Sequence, residues 1–582
     1  MKKMSAHKKR AFVVLGGLLV GFAALSARLH EIQLTKHDLY SNLGRRQHYA
    51  EVTVPASRGA IYDTCGRLLV TSVERRSLWA DPKLVNDASD SASALSPLLE
   101  IDEARLKSVL TKDCRFVWIQ RRIDDDLSDR IESLGLGKGI RFSREFKRSY
   151  THSSLCSQVL GFTNVDDEGL EGLEIAFDAH LSGTPGFRTL VREGSSKRRK
   201  IADPELTWQN PTPGKSLVLT IDAVIQSIVE EEIEEVYERH QPKAVVCIVT
   251  APNTGHVLAM STNPSLNPNE LSSYTSEQLQ ELSRNRAITD LYEPGSTFKP
   301  ITAAACLQSG VANEDTIVDC EGGAYLISRR TLHDVHAYDN LTFSDVIKKS
   351  SNIGIAKLGM KLGPERLHAF CLAFGFGNKT GIELRGEAFG MLAPADRWSS
   401  YTITSVPMGQ EVAVTPLQLV MAYSAIANGG ILMRPIVVRQ IIDEAGKVTE
   451  DFMPRPVRRV IRPEVSRRMC KILAAVTGDE GTGRRAAVEG TVVAGKTGTA
   501  QKLDEDGRYS HSKFIGSFVG FAPAENAEVC VLVLVDEPKK KGYYGGVVAA
   551  PAVGRIIERS LSYLKGQRLQ SSQVNLVSGA LQ

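Results

Sequence analysis

The hydrophobic and polar positions of this chain fall into three regimes. From Ala11 to Ala27 no residue is charged and only Ser26 is strongly polar, a 17-residue run near the short end of the ~17–25 residues that cross a bilayer as a helix. Residues 29–53 are polar and helix-compatible, and Pro55 with Ser57-Arg58-Gly59 then supplies the turn punctuation that opens a new module. Between Val52 and about Pro213 short apolar runs alternate with charged clusters, among which Lys197-Arg198-Arg199-Lys200 reads as a solvated loop. Pro211, Pro213 and Gly214 mark a boundary. Beyond it the pattern predicts a strand over Leu217–Thr220, a charged amphipathic helix over Ile221–Tyr237, and apolar strands over Ala244–Thr250 and Val529–Val535. The Gly-, Ser- and Gln-rich stretch after Lys565 predicts a frayed tail. The expected fold is mixed α and β.

Composition narrows the class. A length of 582 residues exceeds one ordinary domain. With 42% hydrophobic, 24% charged and 6% aromatic residues, the chain is neither disordered nor collagen-like, nor does it cross a membrane many times. A net charge of +4 is too small at this length to argue for nucleic acid. Nine cysteines (65, 114, 156, 247, 306, 320, 371, 470 and 530) contain no CxxC pair or Cys/His cluster, so no metal site or other cofactor is implied. Most read as single buried thiols, with disulfides left open for an extracytoplasmic chain.

The flanks of the apolar run set the compartment. Lys2, Lys3, Lys8, Lys9 and Arg10 precede it and Arg28 follows, which places the N-terminus in the cytoplasm and everything after Arg28 outside. Snorkelling of the flanking cations lengthens the short span. The rival to an uncleaved anchor is a removed signal peptide, for which Ala24-Leu25-Ser26 has the small residues a peptidase needs.

Three short motifs carry candidate chemistry. At Pro294-Gly295-Ser296-Thr297-Phe298-Lys299 a turn opens an Ala-rich apolar helix, which puts Ser296 at a helix N-terminus and Lys299 on the same face. A serine hydroxyl needs a base, and a lysine can be that base only if burial or a nearby cation depresses its pKa. SxxK also occurs at Ser5, Ser510 and Ser562, but none of these has both the Pro-Gly turn and the apolar helix. Ser350-Ser351-Asn352 is expected to break between two helices and face a cleft, although SxN recurs at Ser261, Ser265 and Ser283. Lys496-Thr497-Gly498-Thr499 follows strand-like residues 491–495 and suits an edge strand that binds a carboxylate-bearing peptide, with Gly498 admitting a close backbone. A second KTG at Lys379-Thr380-Gly381 lies among Gly375, Gly377 and Asn378 and reads as a structural turn.

In this order the three motifs resemble the signature of penicillin-binding proteins and serine β-lactamases. Residues 58–63 (RGAIYD) and 169–174 (GLEGLE) look like N-terminal motifs of the class B proteins. So do Gly409-Gln410-Glu411, Thr415-Pro416-Leu417-Gln418, residues 519–523 (VGFAP) and Tyr543-Tyr544-Gly545-Gly546. Thr64 and Cys65 depart from the usual basic residue after Tyr62-Asp63. The resemblance implies a cytoplasmic stub (1–10), a transmembrane anchor (11–29), a pedestal or dimerisation module (30–215), a transpeptidase domain (216–565) and a tail (566–582). Asn352 and the compact N-terminal module make the chain most similar to FtsI-like septal enzymes.

The same resemblance implies a mechanism. Ser296 would acylate on the penultimate D-Ala of a peptidoglycan stem peptide with Lys299 as base, and the N–H groups of Ser296 and Thr499 would form the oxyanion hole. Ser350 and Asn352 would relay the proton to the leaving amine, while Lys496, Thr497, Gly498 and Thr499 would bind substrate. β-Lactams would be covalent inhibitors, and a SEDS-type glycan polymerase with small division proteins would be membrane partners. The alternatives are a D,D-carboxypeptidase or endopeptidase, an elongation-type transpeptidase and a β-lactam sensor.

Overall fold

The computed structural model describes residues 6–192, 200–201, 208–327, 329–504 and 507–579. Of the basic loop at 197–200, the first three residues lie outside this set, as does Ser5. The described chain divides into two compact units, residues 1–57 with 183–213, and residues 58–182 with 214–582.

The first unit begins with α1 (Ala6–His30), which buries none of its residues. With the π-helical turn Glu31–Thr35 it forms the one helix among the described residues long and apolar enough to cross a membrane. A small antiparallel sheet follows, in which Tyr49–Val54 pairs with Gly186–Arg192.

In the second unit a five-stranded antiparallel sheet organises the site. Its strands are β1 (Ala244–Ala251), β2 (His256–Asn263), β3 (Ala494–Leu503), β4 (Tyr509–Ala522) and β5 (Val529–Asp536), in the spatial order β2-β1-β5-β4-β3. β1 and β5 read as unbroken apolar runs because both faces are covered, and residue parity decides which face each side chain joins. Val245, Cys247, Val249 and the odd-numbered valines 529–535 pack against α2 (Ala223–His240). Val246, Ile248, Leu532 and Leu534 face the helical layer of α3 (Lys299–Gln308), α4 (Phe343–Lys348), α5 (Asn352–Leu362), α6 (Pro416–Ala427) and α7 (Pro463–Thr477). The outer face is completed by α8 (Ala550–Gly579), whose Val553, Ile556 and Ile557 join the α2 core. The tail expected after Lys565 is thus helical through Gly579, and Gln567 reaches Cys65. Local composition says nothing about such docking.

Residues 58–182 pack with the layers of the second unit: Ile61–Tyr62 runs parallel to Ser216–Leu219 in a seven-stranded sheet. The first unit ends at Pro213, close to the boundary the sequence marks, while residues 58–182 pair with the chain beyond it. The two N-terminal motifs interlock here. Arg58 Nε donates to Glu174 Oε2 at 2.5 Å and Arg148 Nε to Glu174 Oε1 at 2.7 Å, all three side chains being buried. Asp178 takes a further bond from Arg58 at 2.7 Å. A buried carboxylate between two guanidinium groups satisfies the rule that interior charges must be paired. All nine cysteines are free thiols, seven of them buried.

Candidate active site

The Ser296 motif begins one turn before the α-helix. Gly295–Phe298 is a 3₁₀ turn, and Lys299 is the first residue of α3. The sequence predicts an α-helical start; the tighter turn still serves the chemistry, because residues i and i+3 eclipse in a 3₁₀ helix. Ser296 is half-buried, whereas Lys299 is fully enclosed. Gly295 N–H donates to Gly409 O at 3.0 Å, which ties the Gly409-Gln410-Glu411 motif to the turn. Thr415 and Gln418 form a capping box on α6, and the Tyr423 hydroxyl of that helix donates to Thr297 O at 2.7 Å.

The second motif stands where α4 ends and α5 begins, as the break in the pattern predicts. Ser350 adopts φ +60°, a left-handed conformation that costs a non-glycine residue of order 1 kcal/mol and marks a constrained site. That kink turns both oxygens of Ser350 inward. Lys299 Nζ donates to Ser350 O at 2.6 Å, Asn352 Oδ1 at 2.8 Å and Ser350 Oγ at 3.2 Å.

The third motif lies within β3, the edge of its sheet, and starts later than the 491–495 run suggests. Lys496 is fully enclosed, and its Nζ donates to Ser350 Oγ at 2.9 Å. The Ser350 hydroxyl therefore sits between two lysine amines. Gly498 is where the nucleophile turn meets the strand: a Cβ there would lie 2.8 Å from Thr297 Cγ2 and 2.5 Å from Ser517 Oγ. Gly498 thereby admits the close approach of the Ser296 turn to the strand. Thr497 Oγ1 donates to Thr482 Oγ1 at 3.0 Å, and Gly545 N–H donates to Thr499 Oγ1 at 3.1 Å.

Burial decides the charge of both lysines. Desolvation pushes Lys299 down to about 7, against the field of Asp334, which opposes the shift. Lys496 is held well below the ordinary lysine value by desolvation and then by its neighbour Lys299. A buried amine whose pKa has fallen to about 7 is partly neutral near pH 7 and can then accept a proton. The lone pair is placed by elimination. The ammonium form donates to all three oxygens; the neutral amine has two N–H groups, which Ser350 O and Asn352 Oδ1 can only accept, so its lone pair is left on the side of the Ser350 hydroxyl.

Asp334 and Thr482 are the contacts that sequence reasoning missed; neither lies in a motif. The decoys separate as expected. Ser510 is on β4 and takes backbone N–H bonds from Ser512 and Lys513, and Ser562 lies within α8. Ser261 lies on β2 and its hydroxyl faces Glu230 at 3.4 Å. Thr380 and Gly381 donate to Glu387 in a turn, with Lys379 over the Phe389 ring.

Comparison with known proteins agrees with this geometry. Residues 245–558 match the penicillin-binding protein transpeptidase domain, and residues 53–219 match the penicillin-binding protein dimerisation domain. The probable peptidoglycan D,D-transpeptidase PenA of Neisseria meningitidis is 33% identical over 97% of this chain and 94% of its own. Peptidoglycan D,D-transpeptidase FtsI of Escherichia coli is 34% identical over 94% and 90%, and stage V sporulation protein D of Bacillus subtilis 34% over 99% and 88%. Penicillin-binding protein 3 of Mycobacterium tuberculosis, solved with aztreonam, superposes with a TM-score of 0.69 at 27% identity, covering 88% of this chain and 97% of that one. The chain, with a transpeptidase domain behind a dimerisation domain, belongs to the class B penicillin-binding proteins.

Proposed function

We propose that this protein cross-links peptidoglycan as a serine D,D-transpeptidase, with Ser296 as nucleophile and Lys299 as base. The single observation that supports this reading most is the enclosed Lys299 amine, held by Ser350 and Asn352 one turn from a half-buried serine. Lys299 Nζ takes the Ser296 proton as Oγ attacks the penultimate D-Ala carbonyl carbon of a stem peptide. The Ser296 N–H belongs to the first turn of its helix, where N–H groups have no intrahelical acceptor; with the Thr499 N–H it would hold the oxyanion. Collapse of the tetrahedral intermediate breaks the peptide bond. The departing D-Ala nitrogen takes the serine's proton from Lys299 through Ser350, leaving an ester on Ser296. An amine of a second stem peptide then displaces Ser296 Oγ and forms the cross-link. Lys496, Thr497 and Thr499 would bind the terminal carboxylate, whose charge favours protonation of Lys496. β-Lactams would acylate the same hydroxyl; the aztreonam complex of the mycobacterial relative supports this.

Ser296→Ala is expected to abolish covalent labelling by a fluorescent penicillin with the melting temperature unchanged. Labelling that persists would overturn the assignment.

A septal role, with the N-terminus in the cytoplasm and a SEDS-type polymerase and small division proteins as partners, is the finer reading. It is supported by the likeness to FtsI; the equal identity to a sporulation protein keeps the test necessary. Depletion in a dividing culture is expected to give filaments without septa, and round cells would point to elongation instead.

A further inference from the structure

Lys299 presents its lone pair usefully only if its two acceptors stay where they are, and they stand at the first residue of α5 and two residues before it. Ser351 and Asn352 are held from one side by a two-residue clamp outside every motif, His333-Asp334. Asp334 Oδ2 accepts the Ser351 hydroxyl at 2.5 Å, while Oδ1 accepts the N–H of Asn352 and that of Ile353, the latter at 3.0 Å. His333 O accepts Asn352 Nδ2 at 2.9 Å, which turns the other end of that amide, Oδ1, toward Lys299. The clamp is anchored in turn by Asp334 N–H on Gly323 O at 3.1 Å. A carboxylate at this place caps the helix and complements its dipole.

We infer that Asp334 is a positioning residue of the reaction: its three hydrogen bonds fix the start of α5, and so fix where Ser350 and Asn352 meet the Lys299 amine. It touches no reacting atom. The inference rests on the assignment of Lys299 as base and goes beyond it by naming what sets that base.

The carboxylate has a second effect with a distinct signature. The charge that acts on Lys299 is that of Asp334, which follows the strand Arg330–His333; Lys496, from β3, meets it through the shared Ser350 hydroxyl, and its bonded partners Ser350 and Asn352 are neutral. Asp334 favours the ammonium form and so works against burial. Acylation requires the free amine, so its rate climbs with pH through about 7. Removing the negative charge lowers the amine further and carries the climb to lower pH. A residue that only braced the fold would leave that climb in place.

The test uses the full-length protein in detergent, with the rate of acylation by a fluorescent penicillin followed across pH. Asp334→Asn keeps an oxygen for the Asn352 and Ile353 N–H groups and loses the charge. Its acidic limb is expected at lower pH than in the wild type, with most of the plateau rate kept. Asp334→Ala loses both and is expected to acylate on the order of 100-fold more slowly, as displaced catalytic groups do. An Asp334→Asn limb that stays in place or moves to higher pH would overturn the inference, and so would a wild-type rate in a folded Asp334→Ala. Should Asp334→Ala fail to fold, Asp334→Asn decides alone. Labelling that survives Ser296→Ala would instead sink the nucleophile assignment, so the two failures are told apart.

Discussion

Lys299→Met separates what the buried lysine does for the chemistry from what it costs the fold. The amine has moved from its ordinary 10.5 to about 7. At about 1.4 kcal/mol for each tenfold change in the proton equilibrium, a charged Lys299 costs the folded state about 5 kcal/mol. The sign follows from linkage. Below about pH 7 the amine is protonated in both states and the whole cost is present; as pH rises toward 10.5 only the unfolded chain holds the proton, and the cost fades. Methionine fills a similar volume without charge. The substitution loses the bonds to Ser350 O, Asn352 Oδ1 and Ser350 Oγ, about 1–1.5 kcal/mol each. Near neutral pH the balance favours the variant by about 1 kcal/mol, or about 3 °C of melting temperature for a chain with large domains. The acylation rate, measured with a fluorescent penicillin, is expected to fall at least ~100-fold, a typical general-base contribution. The variant should melt at or above the wild-type temperature at pH 7.5, and the difference should shrink as the pH is raised. Acylation at the wild-type rate would refute the role of the base. A melting temperature well below wild type would refute the burial argument.

Two further perturbations test other parts of the account. Glu174→Ala leaves two buried guanidinium groups, Arg58 and Arg148, without their shared carboxylate, and is expected to cost about 3–5 kcal/mol, read as a lower thermal or urea midpoint with penicillin labelling retained below it. Gly498→Ala sets a methyl against Thr297, Ser517 and the Pro294 carbonyl; slow acylation with a near-normal melting temperature is expected, and unimpaired acylation would contradict the close approach of turn and strand.

The parts of the molecule legible in the sequence are those where chemistry and local pattern coincide. Pro294-Gly295 before an Ala-rich run locates the Ser296 turn, the break after Lys349 locates Ser350 and Asn352, and unbroken apolar runs locate β1 and β5, since a strand covered on both faces cannot alternate. What stayed hidden depends on residues that meet only through the fold. Asp334 stands 18 positions before Asn352 in a loop whose own sequence has no periodicity. The chain from Lys565 to Gly579 is helical in the structure, which composition did not suggest. The boundary near Gly214 is real as punctuation, yet the pairing of Ile61 with Leu217 runs across it.

The central claim is that one serine out of many forms the covalent bond. Peptide mapping by mass spectrometry after incubation with a penicillin tests it most directly: the account predicts a single adduct, on the peptide containing Ser296, lost in Ser296→Ala. An adduct on Ser350, Ser510 or Ser562, or the absence of any adduct on a folded protein, would contradict it.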